Sequence, residues 1–259
     1  ASVWSRQATN SEHANNTAVE HQQARALKTA LVNQASYRGN LGIIGIYLCL
    51  QAFGESVMPV ASLLMALLSI LYNALSVFVF EAAVFQRGDR RPAYLQWRVW
   101  LNILLNPLIM ATLSALLLSA AGVVLPSTWL AAGDTFVAWT LPLALMSIGA
   151  SMGLSSSGAK LSRATGPWYM SAMCIMLALK LLVKPVLAVS LAWWLGYRGM
   201  LLGTVFFFAS APTAAASFVV AKAYGADERL SARVIVYSSA LSLLSISAGV
   251  FILRGLGLM

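Results

Sequence analysis

The chain has 259 residues, of which 59% are hydrophobic and 10% are charged, and its formal net charge is +9. Soluble domains carry about 25% charged residues, so this composition excludes an ordinary soluble fold. The basic residues lie between hydrophobic blocks, a position that indicates membrane orientation rather than nucleic-acid binding.

Hydrophobic blocks of roughly 20 residues or more recur along the chain, and a helix of that length crosses the hydrocarbon core of a bilayer. The blocks lack the strict alternation of barrel strands, which favours helices. We therefore predict an all-α membrane protein with about seven transmembrane helices. The predicted spans are Leu27–Phe53, Val57–Phe85, Trp97–Val124, Thr135–Leu154, Trp168–Leu195, Leu201–Ala221 and Leu230–Leu253.

The segment before the first span, residues 1–26, is polar and lacks the apolar stretch of a signal peptide. With the N-terminus inside, twelve of the 17 basic residues fall on the inner side, whereas only Arg198 and Arg254 fall outside. Because this bias follows the positive-inside rule, we predict a multi-pass protein of the inner (plasma) membrane with a cytoplasmic N-terminus and a cytoplasmic loop at 86–96. The inner basic residues are Arg6, Arg25, Lys28, Arg87, Arg90, Arg91, Arg98, Lys160, Arg163, Lys222, Arg229 and Arg233.

Two predicted spans are interrupted near their middle. The first contains Arg-Gly-Asn at 38–40, which favours unwinding, and the sixth contains Pro212, which removes a helix hydrogen bond. Each interrupted span is followed by an unbroken one, and the two pairs run in opposite directions, as in an inverted repeat. Interrupted spans in corresponding positions point to a transporter's binding site, where half-helix N-termini attract anions.

Three basic side chains lie inside predicted spans, where burying an ion costs at least about 2.5 to 3.5 kcal/mol on insertion scales. We expect Arg38, beside the first interruption, and Lys180, near mid-depth of the fifth span, to line an electropositive cavity for a carboxylate. Lys184 shares the helix face of Lys180, but we expect it to snorkel to the interface. The predicted substrate-binding residues are Arg38, Gly39, Asn40, Lys180, Ala211, Pro212 and Thr213.

The sequence contains no visible nucleophile–base pair, phosphate-binding loop or metal-ligand cluster. We therefore expect no enzymatic activity, no cofactor and no bound metal. The expected partners are a small organic anion and the lipid bilayer, and nucleic acid is not among them. The oligomeric state stays open, a homodimer included.

Several stretches of the chain resemble the bacterial auxin efflux carrier family, relatives of the plant PIN carriers. The similar stretches are SYRGNLGIIGIYL around the first interruption and residues 211–246, which begin APTAAASFVVAK and look like the family's last two helices. LPLALMSIGASMGL and LALKLLVKP are similar to the helices that precede these two. The resemblance covers roughly Arg25 to the C-terminus.

The resemblance implies a ten-helix carrier of two inverted five-helix repeats, whose fourth and ninth helices are broken and cross near the substrate. Asn40 then matches the family's crossover asparagine and Pro212 its crossover proline, although Gly39 stands where PIN carriers have proline. Residues 27–85 would be the remnant of the first repeat, with two spans, and 97–259 the second repeat, with five. The family's first three helices have no counterpart in this sequence.

Three functions stay open at this point. The first is a secondary, efflux-type transporter of small organic anions that works by alternating access. The second is a truncated membrane protein that does not transport. The third is a sodium-coupled organic-anion symporter of a related crossed-helix fold.

Overall fold

A computed structural model describes residues 2–85, 97–105, 107–153 and 167–259 of the chain. Within these residues the backbone is helical and forms no β-strand, which confirms the all-α prediction. The predicted loop 86–96 lies outside them, as do Lys160 and Arg163. The helices are α1 (Ser2–Tyr37), α2 (Ile46–Phe53), α3 (Met58–Phe85), α4 (Trp97–Leu104), α5 (Pro107–Ala120), α6 (Ser127–Gly153), α7 (Pro167–Ala178), α8 (Lys184–Trp194), α9 (Met200–Ser210), α10 (Ala216–Ala223) and α11 (Glu228–Gly255).

Among the described residues, three helical stretches are long and apolar enough to cross a membrane, and they correspond to the second, fifth and seventh predicted spans. The first and sixth predicted spans contain only shorter apolar helices, because each span is divided by its interruption. The long stretches are Glu55–Val84, Met170–Trp194 and Glu228–Gly255, and the shorter ones are Leu41–Phe53, Ile109–Ala120 and Met200–Ser210.

In the part of the chain that the structure describes, two helices contain a π-helical turn, and both turns lie next to the predicted site. Leu41–Gly45 opens the helix that continues as α2, and Leu179–Val183 joins α7 to α8. Such wide turns are rare and often mark functional positions. The second of them carries Lys180.

Two helices begin well before the spans predicted for them. The first helix begins at Ser2 rather than Leu27, because no glycine or proline interrupts the polar segment. The helix of the fourth span begins at Ser127 rather than Thr135. There the carbonyl of Pro126 accepts hydrogen bonds from two N–H groups in the first turn of α6. They are those of Trp129, at 3.0 Å, and Leu130, at 3.2 Å.

Two hydrophobic clusters hold the interrupted helices on both sides of their breaks. One cluster packs α1 against α3, α7, α10 and the start of α11, with Leu31 and Phe80 buried in it. The other packs α2 against α8, α9 and the end of α11, with Cys49 and Phe208 buried in it. Because the half-helices of one span pack in different clusters, both breaks are fixed by the core as well as by their own residues.

A close approach between α9 and α11 gives a test of this packing. A Cβ atom on Gly249 would collide with the buried ring of Phe206, whereas a Cβ on Gly255 in the same helix meets nothing within 4 Å. We expect Gly249→Ala to lower the free energy of unfolding by about 1 to 3 kcal/mol, because the ring has to move. Gly255→Ala is the matched control and should change it by less than about 0.5 kcal/mol.

Unfolding of the purified protein in detergent, followed by circular dichroism, measures both variants. Equal stability of the two variants would show that α9 and α11 do not pack as closely as the structure shows.

Candidate functional site

The two predicted interruptions are real breaks in the helices. Residues 38–40 separate α1 from the π-helical turn that begins at Leu41, and residues 211–215 separate α9 from α10. The breaks also lie side by side, as the prediction of two broken, crossing helices requires. Four half-helix ends therefore meet at one place, which we call the crossing.

Backbone hydrogen bonds join the two breaks directly. The N–H of Asn40 donates to the carbonyl of Pro212 at 2.7 Å, and the N–H of Ala214 donates to the carbonyl of Arg38 at 3.4 Å. Together they form one antiparallel bridge, isolated from any strand. The residues paired at its centre are Gly39 and Thr213.

The residue types at the crossing explain why the helices break there. Pro212 has no N–H and cannot continue the ladder of α9. Gly39 lies against Ala211, and a Cβ atom added to Gly39 would lie 3.4 Å from both the Cβ and the carbonyl oxygen of Ala211. Ala211 is fully buried, so two small residues face each other where the two breaks meet.

Two lysines bind the carbonyl end of α1. Lys180 donates from Nζ to the carbonyl of Arg38 at 2.9 Å, and Lys184 donates to the carbonyl of Tyr37 at the same distance. Lys180 is completely buried, and the ammonium of Lys184 also lies 5.3 Å from the centre of the Tyr72 ring. The expectation that Lys184 snorkels to the interface is therefore wrong.

The side chain of Arg38 is held by α3. Its Nη1 donates to Oγ of Ser76 at 3.1 Å, and the hydroxyl of Tyr37 donates to the same oxygen at 3.3 Å. Ser76 in turn donates to the carbonyl of Tyr72 at 2.6 Å. Among the described residues, no carboxylate forms an ion pair with Arg38 or with either lysine. The crossing therefore holds three basic side chains that have no carboxylate partner in the part of the chain that the structure describes.

A cavity of about 280 Å³ opens beside the crossing. The helix that begins at Leu41 leaves its first backbone N–H groups without an acceptor among the described residues, and the residues that carry them line this cavity. The side-chain amides of Asn40 and Asn73 also have no hydrogen-bond partner in the described part of the chain. The lining residues are Arg38, Gly39, Asn40, Leu41, Gly42, Ile43, Ser69, Tyr72, Asn73, Ala214 and Ala216.

The predicted site residues divide into two groups. Arg38, Gly39 and Asn40 line the cavity. The others form the structure behind it and do not line it: Ala211, Pro212 and Thr213 are buried in the crossing, and Lys180 is buried against its backbone.

The wall that α3 contributes to the cavity was not among the features predicted from the sequence. Ser69, Tyr72, Asn73 and Ser76 follow the helical spacing i, i+3, i+4 and i+7, which places all four on one face of α3. A polar stripe on an otherwise apolar span is a signal that could have identified this wall.

A family model described as membrane transport protein matches residues 4–249 of the chain. The matched range contains both interruptions, both lysines and every residue that lines the cavity. No match was found among proteins with curated descriptions.

Thr213 gives a test of the crossing that does not depend on transport. Its N–H donates to Oγ of Ser238 at 3.1 Å, and its hydroxyl donates to the carbonyl of Ala35 at 3.3 Å. We expect Ser238→Ala to lower the free energy of unfolding by about 1 to 3 kcal/mol, because it leaves the buried N–H without an acceptor.

The neighbouring variant Ser239→Ala is the control. The side chain of Ser239 has no hydrogen-bond partner among the described residues, so its loss should change stability by less than about 0.5 kcal/mol. Thermal unfolding in detergent compares the two, and an equal effect would contradict the bond between α11 and the crossing.

Proposed function

The chain belongs to the membrane transport protein family, the auxin efflux carriers, and we propose that it carries small organic anions across the membrane by alternating access. The observation that carries the proposal is the cavity at the crossing. Its lining combines free backbone N–H groups at a half-helix start with the amides of Asn40 and Asn73. These are the groups that a carboxylate binds in a protein.

The charges around the cavity favour the same class of substrate. Arg38, Lys180 and Lys184 lie in or next to the crossing, and none forms an ion pair with a carboxylate in the described residues. Basic groups without a carboxylate partner favour an anionic substrate over a neutral one, because an anion can pair with them. The size of the cavity suits a molecule at the small end of the range for ligand sites.

In the proposed cycle the substrate carboxylate accepts hydrogen bonds from the free N–H groups that follow Asn40 and from the Asn40 amide. The rest of the substrate lies against the face of α3 that carries Ser69, Tyr72 and Asn73. Movement of the helices that meet at the crossing then opens the cavity to one side of the membrane at a time.

Uptake into proteoliposomes tests the proposal. The full chain is reconstituted and supplied with labelled dicarboxylates and aromatic carboxylic acids, with the corresponding neutral amides as competitors. We expect uptake of at least one acid and no competition by its amide. Asn40→Ala should lower uptake by about ten-fold or more, because one to two hydrogen bonds to the bound carboxylate are lost.

Asn33→Ala is the matched control, since Asn33 is exposed on α1 away from the crossing and should leave uptake unchanged. Two results would count against the proposal. One is the absence of anion uptake above that of protein-free liposomes. The other is full activity after both Asn40 and Pro212 are replaced.

We further propose that the N-terminus faces the cytoplasm, and single cysteines test this orientation. In a chain whose natural cysteines, Cys49 and Cys174, are replaced by alanine, Arg198→Cys and Lys222→Cys each place one exposed thiol near opposite ends of the bundle. A membrane-impermeant maleimide should label Arg198→Cys in intact cells and label Lys222→Cys only after permeabilisation. The reverse pattern would invert the topology.

A further inference from the structure

Ser76 lies on α3 one turn beyond the residues that line the cavity, and it is completely buried. Its hydroxyl donates to the carbonyl of Tyr72 at 2.6 Å, and it accepts hydrogen bonds from Nη1 of Arg38, at 3.1 Å, and from the hydroxyl of Tyr37, at 3.3 Å. A serine hydroxyl has one proton and two lone pairs, so all of its bonding capacity is used. The oxygen is therefore a fixed acceptor for the end of the Arg38 side chain.

The guanidinium of Arg38 uses only part of its own capacity in this arrangement. It carries five N–H groups, and Ser76 is its one hydrogen-bond acceptor among the described residues. The other nitrogens are not enclosed, because the fully buried side-chain atoms without a partner belong to other residues. Arg38 also lines the cavity. Since an arginine side chain keeps its charge in proteins, it can offer charged donors to a ligand there.

The chemistry of the acceptor decides how much of the guanidinium stays available. A carboxylate in the place of Ser76 would pair with the guanidinium, often through two parallel hydrogen bonds, and would occupy the N–H groups that an anion needs. A hydroxyl accepts one hydrogen bond from the guanidinium and adds no charge. Ser76 therefore holds the Arg38 side chain in place and leaves its charge to a ligand.

We propose that Ser76 is a positioning residue for the substrate: it fixes the guanidinium of Arg38 beside the cavity with N–H groups free for the anion. The inference rests on the anion transport proposed above, and it assigns a residue that does not itself line the cavity. Loss of the hydroxyl should weaken anion binding without stopping the movement of the helices.

Transport kinetics of an alanine variant test the proposal. In proteoliposomes we expect Ser76→Ala to raise the KM for anion uptake about ten-fold, because a guanidinium that is no longer held binds the anion less well, and to leave the maximal rate within about two-fold. Damage to the fold alone would instead lower the maximal rate at an unchanged KM, since fewer molecules would be active.

Ser242→Ala is the matched control for this variant. Ser242 is also a buried serine of a long helix, but its hydroxyl donates within its own helix, to the carbonyl of Ser239 at 2.8 Å. It does not line the cavity. Neither the KM nor the maximal rate should change by more than about two-fold.

A second pair of variants isolates the charge of the acceptor. Ser76→Asn and Ser76→Asp introduce side chains of nearly the same size, so both disturb the packing equally. The carboxylate competes with the substrate for Arg38, and Ser76→Asp should therefore have a KM about ten-fold or more above that of Ser76→Asn. This comparison also decides the question if Ser76→Ala does not fold, and equal KM values for the pair would overturn the proposal.

A double variant shows whether Ser76 acts through Arg38. Arg38→Gln removes the charge, so the addition of Ser76→Ala to it should change the KM by less than about two-fold. If the effects of the two substitutions multiply instead, Ser76 acts independently of Arg38 and the proposal is wrong.

Binding without transport separates this inference from the proposed function. It is measured as the rise in melting temperature that the acids of the uptake series, succinate and benzoate among them, give to the purified chain in detergent. If an acid is taken up and Ser76→Ala leaves its KM unchanged, the role of Ser76 is overturned while transport stands. If no acid is taken up, but one stabilises the unaltered chain and Ser242→Ala more than Ser76→Ala, transport fails and the role of Ser76 in anion binding stands. If no acid is bound or taken up, both proposals fail.

Discussion

Hydrogen bonding of the backbone inside the membrane is the constraint on which the rest of this structure depends. Each unpaired N–H or C=O in hydrocarbon costs several kcal/mol, so a broken helix survives only if the groups it frees find partners. Here the two breaks are each other's partners through the bridge between Gly39 and Thr213. Neither break would be stable alone, and the crossing is therefore a single unit made from two distant parts of the sequence.

The same need for hydrogen-bond partners places the negative end of one half-helix and the positive end of the next in different surroundings at the crossing. The carbonyl end of α1 faces the ammonium groups of Lys180 and Lys184, while the free N–H groups that begin at Leu41 belong to residues of the cavity wall. The negative end of one half-helix is thus already compensated by the chain, and the positive end of the next is left for a ligand. For the proposed function, this asymmetry favours an anion as the ligand of the cavity.

Sequence reasoning located the crossing because its signals are local. Pro212 breaks a helix wherever it stands, and Arg-Gly-Asn in an apolar span indicates unwinding without knowledge of any neighbour. The partners of Lys184 and the polar face of α3 were missed, because they depend on which helices pack together. The start of α1 at Ser2 was missed for another reason: composition identified the segment as polar, and polarity does not end a helix.

The crossing and the α3 wall differ in how freely their residues can change. This difference limits which residues can determine substrate selectivity in the proposed function. Residues of the crossing such as Gly39, Pro212 and Thr213 are fixed by backbone bonds and close packing, so they have little freedom to adapt to a particular anion. Asn73 on α3 has a polar group without a partner in the described residues, and it lies on the cavity wall. A change on α3 can therefore alter the shape and polarity of the cavity without breaking the crossing. Under the proposed function, the crossing sets the sign of the substrate's charge, and α3 sets its size and its remaining polar groups.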